Sequence, residues 1–332
     1  MTTLEPTGRG GLYRVPLTPA RVFVSTSPSG RRLLCDSTSV GDAFRAELRQ
    51  ACRQAVTDLA LVDPGLADAL AATTPDVLTI LRGGLNFDLP GVVEQVTGRP
   101  CRVSFLSSRR AIRAGDAVVT SDEYRRIDLA GSAVLFIGDI TATGRTVTNA
   151  LTVLADVLEP EALPPRIVLV TIGTMRAVER IDHFVRRLGQ ADRSVPEVTV
   201  IALEGLFGIY DQTYGLALHL DQTDFVRRGG LITPEFTLAS RLDPVSGLER
   251  CVIYDGGLRG FSPGEHLGEL REYWTRLVAA FSVRPALIDL HRRVKIDQEG
   301  DMASRLDRSE LLDRCYAHRD HIVRAHRRTT GS

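Results

Sequence analysis

The stretch Val134-Leu-Phe-Ile-Gly138-Asp139-Ile-Thr141-Ala142-Thr143-Gly144-Arg145-Thr146-Val147 decides the reading of this chain. Ala133–Ile137 is an apolar run of strand length, and Thr146–Leu158 carries helical periodicity. Between them a short Thr/Gly loop opens the helix, so hydroxyls and backbone N–H groups converge with the positive end of the helix dipole. That combination suits a phosphate monoester. Asp139 stands at the carboxyl end of the strand, where ligands of open α/β sheets bind, and is placed to accept hydrogen bonds from sugar hydroxyls. The loop alone also fits a polar turn capped by threonine.

Outward from this stretch, short apolar runs alternate with helical segments. Strands are expected at Val77–Leu81, Arg102–Leu106, Ile167–Ile172 and Val198–Leu203, and helices at Asp42–Leu61, Leu89–Thr97 and Met175–Leu188. Strands separated by helices pair in parallel through right-handed crossovers, which gives a doubly wound α/β sheet flanked by helices. Residues 1–40 read as an irregular arm with one hairpin, 41–204 as the α/β core, and 205–332 as a C-terminal hood with a helical extension. Within that extension, Glu265–Phe281 and Met302–Arg327 are helical by pattern.

Composition narrows the function classes. The 332 residues are 43% hydrophobic and 25% charged, which supports a packed core and excludes a disordered chain. Net charge is zero, from 41 basic and 41 acidic residues, so phosphate-driven nucleic-acid binding is not expected. Every cation except Lys295 is an arginine. No apolar run reaches the roughly 20 residues of a membrane span, and residues 1–11 lack a signal-peptide layout. The five cysteines are scattered without ligand spacing. A cytoplasmic location is expected.

The stretch 134–147 resembles the 5-phosphoribosyl 1-pyrophosphate (PRPP) motif of type I phosphoribosyltransferases: four apolar residues, two acidic residues and a Thr/Gly loop. It departs from that motif at the first acidic position, which is Gly138. A second segment, Ile80-Leu81-Arg82-Gly83-Gly84-Leu85-Asn86-Phe87, resembles the pyrophosphate loop of the hypoxanthine-guanine enzymes, where a cis peptide often precedes the basic residue. Its glycines let backbone amides approach an anion, and Arg82 adds a planar donor fork. A third, Leu220-Asp221-Gln-Thr-Asp224-Phe225-Val-Arg227, resembles the C-terminal segment of the same enzymes.

The resemblance implies a type I phosphoribosyltransferase-like parallel sheet of five strands under a hood, using PRPP and Mg²⁺ and releasing pyrophosphate. By this resemblance Thr141, Ala142, Thr143, Gly144, Arg145 and Thr146 hold the 5′-phosphate, and Asp139 the ribose. Leu81, Arg82, Gly83 and Gly84 hold the pyrophosphate with Arg227, Asp221 contacts Mg²⁺, and Tyr214 stacks on the acceptor. The polar segment Ser104–Asp128 corresponds to a mobile catalytic loop, with Arg109 and Arg110 as its catalytic candidates. Purine enzymes of this kind carry a carboxylate where Ala142 stands and a lysine near Val170–Thr174. Both are missing, so an aromatic or specialised acceptor is expected rather than a 6-oxopurine. A small-molecule partner, a homodimer and no membrane contact complete the expectation. A PRPP-sensing regulator, or an enzyme acting on another sugar phosphate, are the alternatives. His318–His321, Asp255–Gly260 and Trp274 read respectively as a solvated helix face, a turn and core packing.

Overall fold

The computed structural model describes residues 3–16, 21–113, 116–129, 131–158, 163–190, 196–209, 225–241, 253–254, 262–287 and 307–331. Its strands are β1 (Glu5–Pro6), β2 (Leu12–Arg14), β3 (Arg21–Ser25), β4 (Asp76–Leu81), β5 (Arg102–Arg113), β6 (Asp116–Arg126), β7 (Val134–Thr141), β8 (Arg166–Thr174), β9 (Glu197–Ile209) and β10 (Phe225–Ile232). All belong to one sheet, in the order β1-β2-β3-β9-β8-β7-β4-β5-β6, with β10 paired to β9. The central run β3-β9-β8-β7-β4-β5 is parallel, while the outer pairs are antiparallel.

Alternating side chains of the central strands enter two separate cores. Val134 and Phe136 of β7 face one, with α1 (Pro28–Cys35), α2 (Gly41–Val62), α3 (Pro64–Ala72) and α4 (Leu89–Thr97) packed over it. Leu135 and Ile137 face the other, against α5 (Arg145–Val157) and α6 (Met175–Gln190). A strand covered on both faces must be apolar throughout, which is why these runs show no alternation in the sequence. The observed class is the α/β sheet flanked by helices that the sequence implies.

Two expectations change. The parallel core has six strands rather than five, because β3 of the N-terminal arm inserts beside β9. That arm is therefore not irregular: β2 and β3 form its hairpin, and Val22, Phe23 and Val24 are buried. The polar segment after Ser104 is not a loop but a long antiparallel ribbon, β5–β6, in which Arg109 lies opposite Ser121 and Arg110 opposite Val119. Pairing takes up the backbone groups that the two strands turn toward each other, and solvent can take up those on the outer edges, so polar residues are compatible with the ribbon. The hood contributes α7 (Pro234–Arg241), and the extension contributes the paired helices α8 (Pro263–Val283) and α9 (Arg308–Thr330), joined through Leu270, Trp274, Leu277, Phe281, Cys315 and Ile322.

The amino edge of the sheet is fastened by charge. The Asp63 carboxylate accepts from Arg21 Nη1 at 2.7 Å and Arg166 Nη1 at 3.1 Å, and both arginines also pair with Glu197. These three partners are the first residues of β3, β8 and β9. Asp63 also caps α3, accepting from the Leu66 amide at 3.1 Å. Asp63→Ala should lower unfolding free energy by about 2 kcal/mol, combining a lost cap with lost charge-assisted hydrogen bonds. Denaturant titration checks this; a loss under about 0.5 kcal/mol, typical of surface changes, would show the network to be ornamental.

Candidate active site at the carboxyl edge of the sheet

β4 and β7 are parallel neighbours, with Thr79 opposite Gly138, so the turns that follow them emerge side by side. After β4 the chain makes a cis peptide between Leu81 and Arg82, as the resemblance implies, and enters a single 3-10 turn at Gly83–Phe87. That turn lies directly on β7. A Cβ added to Gly84 would sit 2.8 Å from the Gly138 carbonyl oxygen, and one added to Gly138 would sit 2.8 Å from Phe87 Cβ. Phe87 is fully buried and cannot withdraw. The glycine in the first acidic position of the motif is thus a packing requirement. No carboxylate fits beneath this turn.

The next residue, Asp139, keeps 7% of its surface exposed. Its backbone carbonyl accepts from Thr171 Oγ1 at 2.7 Å and from Thr141 Oγ1 at 3.2 Å, and the two threonine hydroxyls also bond to each other. Thr174 Oγ1 donates to the Ala142 carbonyl at 2.6 Å and accepts from the Ala177 amide at 3.2 Å. Two threonines of β8, neither singled out by the sequence reading, therefore fix the path of residues 139–142. The hydroxyl of Thr141 is spent on this internal bracing.

Gly144 then turns the chain with φ +74°, and a Cβ there would lie 2.9 Å from the Ala177 carbonyl oxygen. Both facts demand glycine. Helix α5 starts at Arg145 with no side chain capping it, so its positive end faces outward beside Thr143, Arg145 and Thr146, all partly exposed. Such an uncapped helix start is suited to an anion. Arg82 is exposed, whereas Gly83 and Gly84 are buried and Leu81 is half-buried.

Other expected site residues are less directly placed. Arg227 lies on β10, and Arg109 and Arg110 on β5, with side chains outside the description. Tyr214 and Asp221 lie outside the described residues. Among the described residues, no group of three or more His, Cys, Asp or Glu is arranged to hold a metal ion, and no helix is long and apolar enough to cross a membrane.

A second polar cluster was not legible in the sequence. Glu204 sits where β9 breaks register against β8, with φ +63° and no exposed surface. Its carboxylate accepts from Thr26 Oγ1 at 2.6 Å, the Ser27 amide at 2.7 Å and Thr233 Oγ1 at 3.3 Å. Gly30 makes room for it, since a Cβ there would lie 2.4 Å from Glu204 Oε1. Burial outweighs these hydrogen bonds and the nearby Arg31, and pushes the Glu204 carboxyl up to about 7. Beside it, Tyr13 donates to Glu235 at 2.7 Å, and burial with that bond pushes its hydroxyl up to about 12. The cluster joins the end of β3, α1, β9 and α7 at the same edge as the 141–144 turn.

No protein-family model and no curated protein matches the chain. Among solved structures it is similar to the purine phosphoribosyltransferase of Pyrococcus horikoshii Ot3, at 12% identity over 49% of this chain and 89% of that one, with TM-score 0.28. An adenine phosphoribosyltransferase is 13% identical over 48% of this chain and 81% of its own, with TM-score 0.26. A hypoxanthine phosphoribosyltransferase from Staphylococcus aureus is 13% identical over 57% and 89%, with TM-score 0.30.

Restoring the missing acid by Gly138→Asp should destabilise the fold by about 1–3 kcal/mol, because the new Cβ drives into Phe87. A melting temperature equal to that of the unmodified chain would show that the turn can yield. For Glu204, a carboxyl raised in the folded state stabilises fully below its ordinary value near 4.5, and that contribution is lost as pH rises through about 7. Stability should therefore fall between those values. In Glu204→Gln the fall should flatten, as read from urea midpoints across pH.

Proposed function

We propose that this protein transfers a 5-phosphoribosyl group from PRPP to a flat acceptor other than hypoxanthine or guanine, releasing pyrophosphate. The observation that supports this best is the pairing of two glycine-built turns on adjacent parallel strands. The 142–144 turn leads into an uncapped helix, the 82–84 turn carries an exposed arginine, and Asp139 lies at the edge they share. One substrate with a phosphate at one end, a diphosphate at the other and a sugar between would span these features.

In this reading the amides of residues 143–146, with the Thr143 and Thr146 hydroxyls, hold the 5′-phosphate. Asp139 accepts from a ribose hydroxyl, and with glycine at 138 it is the one acid of the motif to do so. Arg82 and the Gly83–Gly84 amides hold the pyrophosphate, joined by Arg227. As the bond at C1 lengthens, positive charge develops on the sugar and negative charge on the leaving group. The protein's contribution is to fix both ends and to stabilise the departing charge. Arg109 and Arg110, on the β5–β6 ribbon, are the candidates for closing over the donor.

The residues present suit a Mg²⁺ carried by the substrate. Magnesium is commonly bound through phosphate oxygens and waters with only one or two carboxylates, and Asp221 and Asp139 would be those carboxylates. When bound it supplies charge neutralisation for the leaving pyrophosphate. Tyr214 would stack on the acceptor ring. Ala142 and the lysine-free end of β8, Val170–Thr174, offer neither the carboxylate nor the cation that a 6-oxopurine needs. A site lacking such partners discriminates by factors of about 10⁴.

Calorimetry with PRPP and MgCl₂ should show saturable binding, and pyrophosphate release should depend on an acceptor. Absence of heat at millimolar PRPP would remove the donor assignment. Binding without turnover for any acceptor would favour a PRPP-sensing regulator. Asp139→Asn keeps the shape of the side chain and should lower kcat/KM about 10- to 100-fold, the value of a charge-assisted hydrogen bond. Hypoxanthine and guanine should be turned over far more slowly than the true acceptor in side-by-side assays.

A further inference from the structure

Asn86 is the polar side chain of the Gly83–Phe87 turn, and it is fully buried. Its neighbours Phe87, Leu89 and Val92 belong to the apolar core. The side-chain nitrogen donates to the Tyr254 carbonyl at 3.4 Å, and the side-chain oxygen has no hydrogen-bond partner among the described residues. A buried amide with one atom unsatisfied costs stability. The bond to the Tyr254 carbonyl accounts for the nitrogen, and folding alone gives no reason for the oxygen.

What the amide reaches is the C-terminal part of the chain. Tyr254 is buried, edge-on to Phe44 of α2 at 5.5 Å and edge-on to His266 of α8 at 5.7 Å. His266 is itself buried, and its Nε2 bonds the Ser37 carbonyl at 2.9 Å. A continuous set of packed and hydrogen-bonded groups thus runs from the α8–α9 pair to the turn directly after Arg82. The α8–α9 pair has its own apolar interior, built around Trp274 and Phe281.

We propose that Asn86 is a positioning residue through which the C-terminal helical pair sets the backbone of the Arg82–Gly84 turn for the diphosphate end of the substrate. This rests on reading that turn as the pyrophosphate site. The 142–146 loop is braced independently by Thr171 and Thr174. Loss of the tether therefore acts on one end of the substrate and not on the other.

The test is Asn86→Leu in the full chain, which removes both polar atoms and roughly keeps the volume. Its melting temperature should change little, because removal of the unsatisfied oxygen offsets the donor lost to the Tyr254 carbonyl. Affinity for inorganic pyrophosphate with MgCl₂ should fall about tenfold or more, as expected when a binding backbone shifts by a fraction of an ångström. Affinity for ribose 5-phosphate should stay within about twofold of the unmodified chain, since its loop is untouched. Unchanged pyrophosphate affinity overturns the proposal, and so does an equal loss for both ligands, which would mean general loosening. If the unmodified chain binds ribose 5-phosphate but no pyrophosphate, the assignment of the turn falls and this proposal with it. Where Asn86→Leu does not fold, Asn86→Ala carries the same comparison.

Discussion

The contact of Phe87 and Gly84 with Gly138 is the constraint on which the rest of the edge depends. It joins the turn after β4 to the last residues of β7 at distances that only glycine permits on both sides. Because the turn is pressed onto the strand, the turn after β4 and the end of β7 are held as one unit. The same contact sets a limit on chemistry, since it removes the space that a second acid beside Asp139 would take. The seating of the turn and the missing carboxylate are two consequences of one close approach.

Around that contact the bonding differs from one edge of the sheet to the other. At the amino edge, first residues of strands are joined by ion pairs: Arg21, Arg166 and Glu197 around Asp63, and Arg102 with the fully buried Asp76. At the carboxyl edge, the bonds that shape residues 139–144 come from the hydroxyls of Thr141, Thr171 and Thr174 and from the close approach of Gly144 to Ala177. Neutral hydroxyls hold a loop without placing a charge beside it. An aspartate in their place would compete with an anion for the helix terminus and repel it.

How much of this could be read from the sequence follows from the range of each interaction. The β7–loop–α5 unit and the turn after β4 are contiguous in sequence, and their glycines and threonines announce them, although the groups that brace them come from β8, α6 and β7. Helix α2 and strand β8 were equally plain, because both present long apolar patterns. The insertion of β3 was not, since its partner β9 lies far along the chain and nothing in Arg21–Ser25 names it. The β5–β6 ribbon was hidden by polarity: stabilised by mutual pairing, it lacks the alternation that marks a half-buried strand. Thr171 and Thr174 looked like ordinary strand residues. Glu204 offered one faint signal, an acid at the end of an apolar strand followed by glycine.

Glu204 also shows how the edge accommodates a buried charge. Its carboxylate faces the start of α1, where the Ser27 amide and the Thr26 hydroxyl meet it, and Gly30 leaves the space it fills. A helix start at the carboxyl edge of a parallel sheet attracts anions from solution. Here the protein's own carboxyl group occupies that position, so α1 is closed to a ligand while α5, which no side chain caps, is left open. α1 and α5 both begin at the carboxyl edge of the sheet, and the sequence difference between them is an internal acid against a Thr/Gly loop.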